Sequence, residues 1–453
     1  MEPQTIFALI VFIITYVLMF SFQRIRPHVS IAAAALFVLV GSIGVFPGFR
    51  YTLPDAIREI DWNVIMMIAG TMGTVFLFIE SKMPGRLSDM IISRVHSVRW
   101  MVVALSLFAG IISAFVDNVA TVLMVAPVAL AICKRLRISP VPAVICIAVS
   151  SNLQGAATLV GDTTSILLSK AAGLDFMDFF FTEGRPGMFW VTEAGAFAAT
   201  LIIIWILRGN QARIDLEGHT IVEDHVPAIL LVATVVTLIL TSFIPYKDSA
   251  APGQFYKPDI SNGIICVVYF LIALIHQAHH DRNFALSIRA IREIDYYTFA
   301  LLAGLFIVIG GIERAGIIDL IGRLLASLSG SGSRSSVFMI YTLIVWISVL
   351  LSAFIDNIPY TATMLPVVAV ITEQLSAAGG TSIHPNLLYF GLLCGATLGG
   401  NLTPIGASAN ITGLGILRRE GHEVSSAEFM KYSVPFTLAA VMTGYLLIWQ
   451  IWM

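Results

Sequence analysis

Two stretches decide the fold: 113-SAFVDNVATVLMVAPVALAI-132 and 352-SAFIDNIPYTATMLPVVAVI-371. They align without a gap, with eight of twenty positions identical and Val exchanged for Ile at others. Working outward, 153-LQGAATLVGDTTSI-166 matches 398-LGGNLTPIGASANI-411 at Leu, Gly, Thr, Gly and Ile, and AIREID occurs at both 56–61 and 290–295. Shared apolar composition explains one such match. Three in the same order, with the offset drifting from 234 to 239 to 245, mean an internal duplication with loop insertions between the blocks.

The duplicated chain is a membrane protein. It is 57% hydrophobic and 12% charged, with mean hydropathy +0.88, whereas soluble domains carry about 25% charged residues. Apolar segments fall near 4–22, 28–46, 62–80, 99–133, 140–170, 187–207, 226–246, 259–276, 296–313, 334–372, 387–416 and 433–452. Most suit one helical crossing of a hydrocarbon layer about 30 Å thick. The first follows Met1-Glu2-Pro3-Gln4, without a basic leader or a small-residue cleavage site, and reads as a retained helix. Segments 99–133 and 334–372 are too long for one crossing and short for two, and each has Asp-Asn near its middle. They are expected to be re-entrant hairpins. Segments 140–170 and 387–416 carry Gly- and Thr-rich interruptions and read as broken helices.

The expected architecture is therefore all-α and polytopic. An N-terminal repeat covers 1–207, with hairpin 99–133 and broken helix 140–170. A linker covers 208–225, and a C-terminal repeat covers 226–453, with hairpin 334–372 and broken helix 387–416. Five crossings plus a hairpin per repeat is an odd count, which forces the second copy to enter inverted. Inverted repeats with broken helices are the plan of many secondary transporters, with the binding site near the bilayer midplane. Placing both termini on the non-cytoplasmic side of an inner membrane puts 17 of the 26 Lys and Arg in cytoplasmic loops. Stretches 83–96 and 315–330, apolar on one face, read as interfacial helices.

Polar main chain survives at membrane depth only where protein or a water-filled cavity satisfies it. A broken helix leaves N–H and C=O groups free to bind ions. Gly155, Gly161, Gly399, Gly400 and Gly406 permit the breaks, and Pro404 stops Thr403 from continuing a helix. Candidate ion or substrate ligands in the first half are Asn118, Thr121, Asn152, Gln154, Gly155, Thr158, Thr163, Thr164 and Ser165. In the second half they are Asn357, Thr361, Gly400, Asn401, Thr403, Pro404, Gly406, Ser408 and Asn410. Close helix packing by small residues is the competing reading, but their recurrence at matching places in both halves favours a site.

Three acids within these blocks complete the set: Asp117, Asp162 and Asp356. Each costs about 2.5–3.5 kcal/mol at a helix centre, and no Lys or Arg occurs in 100–133, 146–169, 338–372 or 388–416 to pair with them. Asp117 and Asp356 open the second limb of each hairpin, where capping main-chain N–H groups is the natural structural role. Asp162 has no acidic counterpart, since Ala407 stands at its repeat position, and is the better ion-coupling candidate. A sodium site is expected at Asn118, Asp162, Asn357 and Thr403. The acids of the AIREID blocks read as interfacial pairs at helix starts, and His276, His279 and His280 as a solvated turn.

These features point to secondary active transport of a small inorganic ion, with sodium or proton as coupling ion and sodium/proton antiport as the most economical version. Metalloid efflux, sodium-coupled anion transport and a passive channel are the alternatives. An enzyme is disfavoured by the lack of a nucleophile–His pair in the membrane segments, and no P-loop suggests ATP. No cofactor is expected. Cys133, Cys146, Cys266 and Cys394 lack metal-site spacing, and no basic stretch suggests nucleic acid. The expected partners are the bilayer and the transported ion.

At its paired blocks the chain resembles the ion transporter superfamily, in the branch holding arsenite permeases, NhaD-type sodium/proton antiporters and the melanosomal P-protein. The likeness spans essentially the whole chain. It implies a homodimer with a static scaffold and a mobile transport domain moving as an elevator, and a substrate site between the hairpin tips and the broken helices. The superfamily's divalent-carboxylate carriers have Ser-Asn-Thr at their hairpin tips. Here the tips read Asp117-Asn118-Val119 and Asp356-Asn357-Ile358, so the asparagines match and the hydroxyls do not.

Overall fold

A computed structural model describes residues 2–22, 25–209, 220–246, 254–280, 284–317, 320, 333–377 and 384–453. Most of linker 208–225 and of the stretch 315–330 lies outside the described residues. The first half contains α1 (Pro3–Ser21), α2 (Arg26–Ile43), α3 (Leu53–Glu59), α4 (Trp62–Glu80), α5 (Met83–Ile92), α6 (Val98–Ser113), α7 (Asn118–Leu136), α8 (Val141–Gly155), α9 (Thr163–Ala172) and α10 (Met188–Ile206). The second contains α11 (Val226–Thr241), α12 (Ser261–His280), α13 (Ala285–Arg292), α14 (Tyr296–Arg314), α15 (Arg334–Ser352), α16 (Asn357–Ala377), α17 (Asn386–Gly399), α18 (Ser408–Arg419) and α19 (Ser426–Trp452). A two-residue ribbon, Phe181–Thr182 paired antiparallel with Arg185–Pro186, closes the loop between α9 and α10.

Among the described residues, eight helices are long and apolar enough to cross a membrane by length and composition. The hairpin limbs are longer than expected. The second limbs run past 133 and 372, to Leu136 and Ala377, and α7 and α15 are among the eight. At 1.5 Å per residue, limbs of 16 to 21 residues reach roughly 24–32 Å. Each second limb holds a proline, Pro127 or Pro366, at the same repeat position, where the ring removes one ladder hydrogen bond.

Helices pair in duplicate. α2 packs on α14 as α4 packs on α12, and α6 packs on α8 as α15 packs on α17; α10 meets α19. Gly70 and Gly304, equivalent in the repeat, make the first two crossings close. A Cβ on Gly70 would lie 2.3 Å from the Cys266 carbonyl carbon, and one on Gly304 2.5 Å from Ser30 Oγ. Small residues at such crossings let backbones approach where lipid gives no hydrophobic drive between helices. A central core joins hairpins, broken helices, α10 and α19. Two satellite cores flank it, one of α1, α2, α3 and α14 residues, the other centred on Leu77, Phe270, Ala273 and Ala290.

Each AIREID block stands at a helix start, as the sequence predicts, and its last acid caps that helix. Asp61 accepts from Val64 N–H at 3.0 Å and Asp295 from Thr298 N–H at 3.0 Å. Arg314 joins Asp55 and Glu59 at 3.4 and 3.1 Å. Stretch 83–96 does hold a short helix, α5.

Candidate functional site

Both broken helices stop where glycine lets main chain touch main chain. α8 ends at Gly155 and α9 starts at Thr163, with residues 156–162 buried and non-helical between them. A Cβ on Gly161 would lie 2.5 Å from Gly155 O and 2.7 Å from Ser113 O; on Gly406, 2.6 Å from Gly400 O and 2.7 Å from Ala353 O. The last carbonyls of a helix have no partner within it, and here the loops supply one. Thr158 donates to Ala114 O at the end of α6, and Thr403 donates to Ala353 O at the end of α15. Each broken-helix loop is thus bolted to the tip of its own hairpin.

The two halves then join through side-chain amides. Asn118 donates to Asn152 Oδ1 at 2.9 Å, and Asn152 donates to Thr397 O at 2.8 Å. Asn401 donates to Val149 O at 2.9 Å, and Thr164 shares a hydrogen bond with Thr397 Oγ1 at 2.9 Å. Asn357 reaches across to Asp162 Oδ2 at 3.2 Å. Thr397 is the repeat counterpart of Asn152 and was not among the expected residues.

Beside this network lies a cavity of about 330 Å³. Its polar wall includes Asp117, Asn118, Asp162, Thr163, Asn357 and Ser408, and α4 contributes Thr71 and apolar residues from Ile68 to Ile79. Asn118, Thr163, Asn357 and Ser408 are the first residues of α7, α9, α16 and α18. Four positive helix ends, each equivalent to about half a charge, converge on the carboxylates.

The three acids play different parts. Asp117 caps α7, Oδ2 accepting from Val119 and Ala120 N–H at 3.0 and 3.2 Å. Asp356 caps α16 through Ile358 N–H at 3.2 Å and also accepts from Ser408 Oγ at 3.1 Å. Asp162 stands at the cap position of α9 without a side-chain capping bond. It accepts from Thr164 Oγ1 at 2.7 Å and from Asn357, and is 4% exposed. One expectation is corrected: Asp356 has a basic partner, Arg26, whose Nη1 lies 3.3 Å from Oδ2. The guanidinium enters from α2, outside every apolar segment searched for one.

Other expected ligands serve the scaffold. Thr403 is spent on Ala353 O, so the cavity wall holds Asn118, Asp162 and Asn357 of the expected sodium site without it. Gln154 turns away to Glu193, donating to both carboxylate oxygens at 2.9 Å. Thr121 contacts Val116 O at 3.5 Å, and Asn410 Nδ2 bonds Gly400 O and Thr403 O at 3.1 Å. Gly155 and Gly400 give room for the chain reversals, and Pro404 is half-buried in the second one. Among the described residues, Ser165 Oγ, Thr361 Oγ1, Asn401 Oδ1 and Asn410 Oδ1 are buried without a hydrogen-bond partner.

Besides Thr397, four residues at or near the site are not singled out by the sequence reading. Glu293 and Asp295 line the cavity, whereas the sequence reads them as interfacial pairs. Arg26 counts in the sequence only as one of the 17 Lys and Arg placed in cytoplasmic loops. Glu193 is a fourth acid inside an apolar helix, visible as the lone acid of segment 187–207.

Comparison with known proteins agrees with this architecture. The family described as "CitMHS: Citrate transporter" matches residues 8–395. An uncharacterized transporter of Mycobacterium tuberculosis is 30% identical over 98% of both chains. The P protein of Homo sapiens is 26% identical over 92% of this chain and 56% of its own length. Among solved structures, the YdaH transporter of Alcanivorax borkumensis is similar with a TM-score of 0.57 and 14% identity, covering 93% of this chain and 97% of its own. MtrF of Neisseria gonorrhoeae gives 0.53 and 14%, covering 93% and 94%. The chain is a polytopic membrane transporter and belongs to the CitMHS citrate transporter family.

Proposed function

We propose that the chain is a cation-coupled secondary transporter, with sodium/proton antiport as the leading version and Asp162 as the carboxylate both ions share. The observation that carries this reading is the bonding of Asp162. It is buried at a helix break on a cavity wall, bonded by the Thr164 hydroxyl and the Asn357 amide, and makes no side-chain capping bond to its helix. A carboxylate so placed is stabilised by a bound cation or by protonation, and competition between the two gives obligatory exchange.

The elevator expected from the resemblance fits the contacts. Hairpins and broken helices form one packed group, and α2–α14 and α4–α12 flank it. The cavity is lined by the C-terminal half of α4 and by Glu293, Asp295 and Thr298 at the start of α14. On the distribution of Lys and Arg we take both ends to face the cytoplasm and read this conformation as inward-open. Inversion of the two halves is part of the same reading.

A second reading is transport of a carboxylate anion, as the family description says of its members. Four converging helix N-termini favour it, because they attract negative charge. The wall carboxylates oppose it unless a cation enters with the anion. Purified protein in liposomes separates the two. Imposed sodium gradients should move protons, and Asp162→Asn should abolish that movement. Citrate uptake without sodium-driven proton flux would instead establish the anion reading, and neither flux would defeat both.

A further inference from the structure

Asp117 and Asp356 occupy the same place in the two repeats, yet their charges are met differently. Asp117 Oδ2 takes two main-chain N–H groups and faces the cavity. Asp356 takes one N–H, the Ser408 hydroxyl and the Arg26 guanidinium. Arg26 is the first residue of α2 and is 7% exposed. Its Nε donates to Met19 O at 3.1 Å, which ties the side chain to the end of α1. α2 packs chiefly on α14 and α1, so the ion pair has one foot on the flanking helices and one on the hairpin tip. At the repeat position of Arg26 the second half has Ile260, so the first hairpin has no matching arginine.

We propose that Arg26 is a built-in cation. It holds, at the second hairpin tip, the place equivalent to that of a free coupling cation at the first, and the transport cycle trades it for a free cation or proton. This rests on the cation reading above. In the present conformation the cavity reaches Asp117 and Asp162, while Asp356 is paired with Arg26. When the hairpin group slides past α2, the guanidinium is held back by its bond to Met19 and Asp356 loses its countercharge. A carboxylate left unpaired in a low-dielectric interior is strongly disfavoured, so Asp356, with Ser408 beside it, must take up a cation or a proton. Arg26 thereby makes ion occupancy at the second tip depend on conformation. It is a positioning residue for coupling, not a ligand of the transported ion.

The test is sodium-dependent thermal stabilisation of the full-length protein at fixed pH, using sodium chloride with choline chloride as control. Wild type should give a one-site curve. Arg26→Gln frees Asp356, so the curve should steepen to two sites and its midpoint should fall roughly threefold or more. Arg26→Lys, which keeps a tethered cation, should return the wild-type steepness. Should Arg26→Gln not fold, the double variant Arg26→Gln/Asp356→Asn removes both charges and should give a one-site curve with sodium–proton coupling lost in liposomes. A folded Arg26→Gln protein with wild-type midpoint and steepness overturns the proposal and leaves the cation reading standing; so does a double variant with wild-type coupling. A wild type indifferent to sodium and to pH removes the cation reading itself, and this proposal with it.

Discussion

Asn357 donates to Asp162 across the two halves of the molecule, its side-chain amide 3.2 Å from Oδ2 although 195 positions separate them in the chain. The bond ties the tip of the second hairpin to the break of the first broken helix, so on the reading proposed above an ion at Asp162 bears on the position of both. Asn357→Ala should keep the fold, because Asp356 still caps α16 through Ile358. Removing a hydrogen bond to a charged group weakens binding by about 1.5–3 kcal/mol, equivalent to about 10–100-fold. The sodium concentration for half-maximal flux in liposomes should rise by that factor. Unchanged sodium dependence would show that the amide plays no part in ion binding.

The loops of the broken helices impose a steric prediction. Gly161 and Gly406 each lie where a Cβ would meet three carbonyl oxygens within 2.8 Å, all of them main chain and unable to swing aside. Gly161→Ala and Gly406→Ala should each destabilise by about 1–3 kcal/mol. The two losses should be alike, because both glycines face the same pair of hairpin carbonyls. Gly173, at positive φ with open space around it, makes the control: alanine there strains only the backbone. Melting temperatures in detergent measure all three, and two silent loop glycines would argue against rigid docking of loop on hairpin.

Much of this site was legible in the sequence because it is local or duplicated. Asp117 and Asp356 cap their helices since the residue before a helix is placed by the chain itself, and the repeat names both positions. Gly161 and Gly406 are legible for the same reason. What escaped depends on distant packing. Arg26 meets Asp356 across 330 positions, and nothing in Arg26-Pro27 says which carboxylate an α2 crossing delivers. Asp295 was read rightly as a helix-start residue, but its place on the cavity wall follows from where α14 packs. Thr403 shows the opposite failure. Its hydroxyl looked free in sequence and is used up by a carbonyl that only the docked hairpin brings near.

Acid should loosen the start of α3 only at low pH. Thr52, through its hydroxyl and its N–H, holds the Asp55 carboxyl below the usual carboxylate range, and Arg314 adds to the effect. A group depressed in the folded state stabilises above its unfolded pKa, near 3.9, and that contribution is lost as pH falls through the lower folded value. Wild type should therefore lose melting temperature below about pH 4 by more than Asp55→Asn does. Parallel curves for the two proteins down to pH 3 would exclude Asp55 from acid sensitivity.

A second buried ion pair spans the molecule at the opposite end of the broken helix. Lys257, in the segment before α12, donates to Asp175, just after α9, and to Thr241 O at 3.0 Å. Its ammonium lies 4.5 Å from the Tyr246 ring centre, and Asn262 donates to the other Asp175 oxygen at 3.2 Å. Side chains of both partners are under 10% exposed. Removing one partner leaves a buried charge uncompensated, which costs about 3–5 kcal/mol, whereas removing both is far milder. Lys257→Met should thus destabilise strongly, and Lys257→Met/Asp175→Asn should recover most of the loss even though Asp175 also caps the turn at Phe176. If the flanking helices and the hairpin group slide during transport, this pair must part in each cycle. The double variant should then move faster between its two conformations while binding sodium as wild type does. Turnover in liposomes and sodium-dependent melting, measured on the same preparation, separate the outcomes: an increase in turnover with an unchanged sodium midpoint marks the pair as a conformational lock, and unchanged turnover marks it as purely structural.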